Sequence, residues 1–202
     1  MPAPFSPDCF RLMPHPATLG RVIDAIGCSI ALTDGGDMQL RYTLEGDCSS
    51  LRLPAPAAPL PTDGLWRHTC CELFLAQRDA PTYLEFNFAP SGAWARYAFG
   101  AERQREAGAT RAFGAPRIRT IYAKDRVVLE ATLPASLLAP FSPERDALDL
   151  ALACVIEEHD GQRAWWALRH PAARPDFHLR AGFVPLSRTT LAETALTCPS
   201  SA

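Results

Sequence analysis

The chain has 202 residues, of which 48% are hydrophobic and 21% are charged, the composition of one ordinary globular domain with a buried core. We therefore expect a single domain over residues 1–202. The formal net charge of −2 gives no long-range attraction to nucleic acid or to an anionic membrane, so we expect neither as a partner. No apolar run approaches the about 18 residues that cross a bilayer, and residues 1–15 lack the pattern of a secretory signal peptide.

The cysteines are odd in number and scattered along the chain, without a C-x-x-C pair or the Cys/His spacing of a zinc site. They are Cys9, Cys28, Cys48, Cys70, Cys71, Cys154 and Cys198. This pattern predicts free thiols, a cytoplasmic location and no metal. Cys70 and Cys71 are adjacent in a predicted strand and point in opposite directions, so a disulfide between them is not expected.

Alternation of apolar and polar residues with a period of two recurs along the whole chain and predicts β-strands. The predicted strands cover residues 9–13, 29–33, 38–44, 51–53, 70–76, 83–89, 94–99, 117–123, 126–133, 148–157, 163–168 and 183–186. Tight turns are predicted at 34–37, 124–125 and 158–161. Residues 101–110 are interpreted as a loop or one helical turn, and 134–138 as a short helix. The fold class is therefore all-β, an antiparallel β-sandwich of the jelly-roll type.

Polar residues interrupt three successive central strands. Glu72 lies opposite the apolar face of its strand, and Asn87 lies opposite the apolar face of the next. Arg96 is the charged residue of the third strand. A carboxylate among apolar neighbours needs a partner or a polar cleft, so Glu72 either pairs with Arg96 or faces a ligand. We expect these three side chains to form a polar surface together with nearby aromatic rings.

Two blocks resemble a known superfamily. Trp66, the run 72–75 and the run 83–92 resemble the central strands of family 9 carbohydrate-binding modules and of the wider DOMON-like superfamily. The block 165–178 is similar to the stand-alone bacterial DOMON-like domains.

The resemblance implies a β-sandwich that holds a sugar or a haem. Trp66 and Glu72 match the first tryptophan and the acid of the sugar site, in which two tryptophans clamp one end of the sugar. Trp165 or Trp166 would supply the second ring; the two are adjacent in a strand, so one of them is expected in the core. Asn87 and Arg96 would supply further polar contacts.

The C-terminal block also contains His170, Asp176 and His178 within nine residues, in a loop that Pro171 and Pro175 restrict. These side chains could ligate a metal or form an acid–base pair, but their spacing is not a zinc signature. We interpret the block as a structural clasp or as the rim of the ligand site, and we include its three polar residues in that site.

Three functions follow from these patterns. The first is non-catalytic binding of a small ligand, in particular a carbohydrate, without a cofactor. The second is b-type haem binding for electron transfer, which the positions of Met13 and Met38 outside both motif blocks disfavour. The third is a glycoside hydrolase that uses Glu72 and Asp176 as paired carboxylates. No G-x-S-x-G motif for a serine nucleophile is present.

Overall fold

A computed structural model describes residues 8–18, 22–56, 58–106, 114–138, 141 and 148–186. Within these ranges the chain forms twelve β-strands and several short 3-10 helices, and no α-helix. None of the described helices is long and apolar enough to cross a membrane.

The strand bounds follow in chain order. They are β1 Asp8–Pro14, β2 Ile23–Leu32, β3 Met38–Gly46, β4 Cys70–Gln77, β5 Tyr83–Phe88, β6 Trp94–Ala101, β7 Gln104–Arg105, β8 Arg117–Tyr122, β9 Arg126–Leu133, β10 Leu148–Glu157, β11 Arg163–Ala167 and β12 Val184–Leu186.

The strands form two layers that share β1. The front sheet has the order β7-β6-β5-β4-β10-β11, and β12 also pairs with β10. The back sheet has the order β1-β2-β3-β9-β8. Residues 8–12 of β1 pair with β2, and residues 13–14 pair with β11. Every pairing between these strands is antiparallel, which confirms the predicted β-sandwich class.

The main core fills the space between the two sheets. Leu73 and Phe86 of the front sheet and Ile26 and Tyr42 of the back sheet belong to it, and all four are fully buried. The Tyr42 hydroxyl donates a hydrogen bond of 2.8 Å to the carbonyl oxygen of Glu72. This bond fixes the middle of β4 against the back sheet, because a buried hydroxyl needs a partner.

A second apolar cluster lies on the outer face of the front sheet. Phe74, Tyr83 and Phe99 form it together with Phe183, which comes from the segment that follows β11. Phe177 of the same segment packs against the cluster. The C-terminal block therefore covers one part of a sheet face that would otherwise expose several aromatic rings.

The predicted turns are confirmed. Gly36 in the β2–β3 turn and Gly161 in the β10–β11 turn both have a φ of 85°, a conformation that favours glycine. The β8–β9 connection closes with a hydrogen bond of 2.8 Å from the Ala123 amide to the Arg126 carbonyl. The helix predicted at 134–138 is a 3-10 helix, Ala135–Leu138.

Three predicted elements differ in the structure. The strand predicted at 29–33 begins earlier, at Ile23, because the alternation of buried residues continues through a bulge near Ala25. The strand predicted at 51–53 is a single bridge between Leu51 and Glu158. Part of the predicted loop 101–110 forms β7, since its two residues pair with the end of β6.

Candidate functional site

The outer face of the front sheet carries a cleft with a volume of about 320 Å³. Its lining combines aromatic, acidic and basic side chains. They are Trp66, Glu72, Glu85, Tyr97, Phe99, Arg103, Arg105, Val155, Trp165, Pro175, Asp176, Phe177 and His178. The volume lies at the low end of small-molecule sites and suits a ligand of one or a few rings.

The register of the strands explains why Glu72 faces this cleft. Glu72 pairs with Asn87 of β5 on one side and with Ala153 of β10 on the other. Asn87 in turn pairs with Ala95, and Ala153 pairs with Ala167. Directly paired residues share a sheet face, so small alanines flank the row that contains the acid. Because alanine side chains are short, the cleft extends over this row.

Glu72 is a buried acid with an unsatisfied oxygen. Its exposed fraction is 2%, and its Oε1 atom has no hydrogen-bond partner among the described residues. Burial raises the pKa of Glu72 well above its ordinary value, and the neighbouring Glu85 and Cys71 raise it further. Burial therefore favours the neutral form of Glu72 in the free protein.

Glu85 is a second acid on the same face. Its exposed fraction is 4%, and its Oε1 atom accepts a hydrogen bond of 2.5 Å from the amide of Asn87. Burial raises the pKa of Glu85 to about 7, against the opposing effects of Asn87, Arg105 and Arg103. The sequence analysis placed Glu85 on the same face as Asn87 but did not include it in the site, although strand alternation would have sufficed to find it.

Aromatic rings form the walls. Trp66 lies in the 3-10 helix Leu65–Arg67, which follows Gly64 at a φ of 80°. The Trp66 ring is 37% exposed and contacts Tyr97 edge-on, with 5.5 Å between centroids. Trp165 of β11 is half-buried and pairs with Val155. Each indole offers an apolar face and an N–H donor to a ligand.

The arginines at the rim are already paired with acids. Arg103 forms an ion pair of 2.7 Å with Asp176. Partial burial opposes ionisation of Asp176, but the hydrogen bond from Arg103 holds its pKa below the ordinary value. Arg105 forms an ion pair of 3.1 Å with Asp63 and lies 4.0 Å from the centroid of the Tyr97 ring. Neither arginine is ion-paired with Glu72 or Glu85 in the part of the chain that the structure describes.

His178 is neutral around neutral pH. Its Nδ1 atom is hydrogen-bonded to the Tyr83 hydroxyl at 2.8 Å, and its Nε2 atom lies 3.8 Å from Glu85 Oε2. Burial, together with the charge of Arg103, lowers the pKa of His178 to about 4. The neutral imidazole therefore does not compensate a negative charge on Glu85.

The structure brings together five of the nine predicted site residues. Trp66, Glu72, Trp165, Asp176 and His178 all line the cleft. They come from a 3-10 helix, two strands and the segment after β11, regions distant in sequence.

Two predicted site residues lie on the opposite face of the sheet. Arg96 pairs with Phe86, which pairs with the core residue Leu73, so Arg96 points away from Glu72. Of the two alternatives for Glu72, the pair with Arg96 is therefore wrong, and the acid faces the cleft. Trp166 is 5% exposed, pairs with Cys154 and belongs to the main core, which identifies Trp165 as the tryptophan of the cleft.

The other two predicted residues do not line the cleft. Asn87 is fully buried, two residues after Glu85 on the same face of β5, and donates a hydrogen bond to the Glu85 carboxyl. His170 lies away from the cleft, with its Nε2 atom 2.8 Å from the Met13 carbonyl oxygen and its ring edge-on to His15.

The site residues do not match a metal or haem site. Among the described residues, no group of three or more His, Cys, Asp or Glu side chains is arranged to hold a metal ion. The described lining of the cleft contains His178 and no methionine. Met38 is buried in the main core and Met13 is 51% exposed outside the cleft, so the cleft does not supply a methionine–histidine pair for haem.

No protein-family model matches the chain, and no curated protein matches it. Among solved structures, the fold is similar to a candidate carbohydrate-binding protein from Bacteroides uniformis. The TM-score is 0.59 at 16% sequence identity, over 86% of this chain and 84% of that chain. At this identity the likeness establishes a shared β-sandwich fold.

Proposed function

We propose that the protein binds a saccharide in the cleft of the front sheet without catalysing its conversion. The observation that carries this proposal is the joint placement of Trp66 and Trp165 around the buried acids Glu72 and Glu85. Aromatic rings pack against the apolar faces of sugar rings, and carboxyl groups bond their hydroxyls, so the two kinds of side chain together suit a saccharide.

Two further findings support the proposal. The fold is similar to that of the candidate carbohydrate-binding protein from Bacteroides uniformis. Trp66 and Glu72, which the resemblance to family 9 carbohydrate-binding modules selects, both line the cleft. We therefore propose membership of the DOMON-like superfamily. We also propose a cytoplasmic location, which the odd number of cysteines supports, and binding without a cofactor.

Calorimetric titration with a panel of monosaccharides and disaccharides tests the proposal. Trp66→Ala and Trp165→Ala should each weaken binding about tenfold, because a lost stacking contact costs on the order of 1.4 kcal/mol. Trp66→Phe keeps a ring and should lose less affinity. Tyr122→Ala removes a 44% exposed ring from the back sheet and serves as the control. Equal binding by all four variants would place the ligand elsewhere.

Glycoside hydrolysis is a second candidate, because one observation favours it. Glu72 and Asp176 line the same cleft, and their pKa values are shifted in opposite directions, as those of a general acid and an ionised partner are. Release of nitrophenol from a panel of nitrophenyl glycosides by the protein, and its loss in Asp176→Asn, would establish this activity. No release at millimolar substrate would leave binding as the function.

A further inference from the structure

Neither acid of the cleft has a charged ion-pair partner among the described residues, although the charges of Arg105 and Arg103 act on Glu85. Glu72 and Glu85 are both buried, and no arginine or lysine among the described residues forms an ion pair with either. The nearby imidazole of His178 is neutral, and the nearby arginines are paired with Asp176 and Asp63. The Oε1 atom of Glu72 lacks even a hydrogen-bond donor.

Ionisation of these buried acids is costly unless a ligand supplies a positive charge. An unpaired carboxylate in a buried site is destabilising, whereas an ammonium group would provide charge-assisted hydrogen bonds. A neutral hydroxyl would satisfy the orphaned oxygen but would leave the charge uncompensated. The Trp66 ring, which lines the same cleft, also favours a cation over a neutral group.

We propose that the preferred ligands of the cleft are amino sugars, with the protonated amine held by Glu72 and Glu85 and the sugar ring against Trp66 and Trp165. This inference rests on the proposed saccharide-binding function and specifies its ligand class.

Binding of the ammonium form should release protons. Burial raises the pKa of both acids, that of Glu85 to about 7, so it favours their neutral forms in the free protein, whereas an aliphatic amine is protonated at about pH 6. The arriving positive charge favours the ionised acids, so their protons leave to solvent as the ion pairs form. The other titratable or charged groups around the pair are Asp63, Cys70, Cys71, Tyr83, Tyr97, Arg103, Arg105, Asp176 and His178.

Calorimetry at about pH 6 with glucosamine, glucose and N-acetylglucosamine tests the inference. Glucosamine should bind at least about tenfold tighter than either neutral sugar, since bonds to a charged group are about twice as strong as neutral ones. Repeating the glucosamine titration in two buffers of different ionisation heat should reveal net proton release.

The Glu72→Gln variant separates the amine preference from saccharide binding. The amide can still bond a hydroxyl but cannot pair with a positive charge, so glucosamine should lose more affinity than glucose, and the preference for glucosamine should fall to about twofold or less. Glu45→Gln, a 42% exposed acid of the back sheet, is the control and should keep the full preference. A thermal melt verifies that each variant is folded.

The outcomes distinguish the two proposals. Equal affinity of the native chain for glucosamine and glucose, or an unchanged preference in Glu72→Gln, would overturn the amine inference and leave saccharide binding intact. Failure of all three sugars to bind would overturn both the inference and the proposed function.

Discussion

Glu72 and Glu85 occupy diagonal positions on two adjacent strands, Glu72 opposite Asn87 and Glu85 opposite Phe74. Both side chains therefore lie on one buried patch of the front sheet. Their proximity contributes to the raised pKa of Glu72, and burial raises the pKa of both. The acids that mark the cleft should consequently make the stability of the fold depend on pH.

We predict that Glu85→Gln becomes increasingly stable relative to the native chain as pH rises. The Glu85 carboxyl has a pKa of about 4.5 in the unfolded chain and about 7 in the folded chain. The group therefore contributes stability below pH 4.5, and this contribution is lost as the pH rises through about 7. The full difference corresponds to on the order of 3 kcal/mol. Melting temperatures from about pH 5 to about pH 8 measure it.

His178 makes the stability depend on pH in the opposite direction, and it does so in both the native chain and the Glu85→Gln variant. Its pKa is lowered to about 4, so it contributes stability above pH 6.5 that is lost as pH falls through about 4. Because His178 remains in the variant, the difference in melting temperature chiefly reports Glu85. A difference that stays constant over the pH range would contradict the raised pKa.

Substitutions of the adjacent tryptophans should have different effects. Trp166→Ala removes a ring from the main core and should cost about 3–5 kcal/mol of unfolding free energy. Trp165→Ala, on the cleft face, should cost less stability and weaken ligand binding instead. Chemical denaturation of both variants measures the contrast, and equal destabilisation would argue against the assigned faces.

Asn87 should matter for stability through Glu85. Asn87→Ala removes the donor to Glu85 Oε1 and the acceptor of the Cys70 thiol, so it should cost about 1–3 kcal/mol. The loss should grow at alkaline pH, because the ionised Glu85 depends more strongly on that donor. A denaturation midpoint equal to that of the native chain at about pH 8 would contradict this role.

The thiols provide a test of the proposed cytoplasmic location. Cys28, Cys48, Cys70, Cys71 and Cys154 are buried free thiols, and Cys9 and Cys198 lie outside the residues whose side chains are described. Protein purified without reductant should show all seven thiols after unfolding. In the native protein the five buried thiols should react slowly with a thiol reagent. Fewer than seven thiols after unfolding would reveal a disulfide and contradict the reducing compartment.

Much of the fold could be predicted from period-two patterns. The bounds of β10 agree with the prediction over all of 148–157, because its residues are buried on both faces and turn residues follow it. β7 was missed because two exposed residues carry no periodic signal. Its position depends on pairing with the end of β6 across a tight turn, where Ala101 pairs with Gln104 and Phe99 with Arg105.

Part of the site was also predictable from the alternation of residues along the strands. Alternation correctly separates the two faces of each strand, and it placed Glu72 opposite its apolar neighbours. It does not show which faces of different strands coincide, so Arg96 was wrongly grouped with Glu72. The contribution of Asp176 and His178 depends on the path of the segment after β11, for which the sequence left a structural clasp and a rim of the site as alternatives.

The most direct test of saccharide binding in the cleft uses the four indole N–H resonances in a nitrogen–proton correlation spectrum. Trp66 and Trp165 line the cleft, whereas Trp94 and Trp166 are buried away from it. Titration with glucosamine should shift the resonances of Trp66 and Trp165, assigned by single Trp→Phe substitutions, and leave the other two in place. No shifts, or shifts at Trp94 and Trp166 alone, would contradict the account.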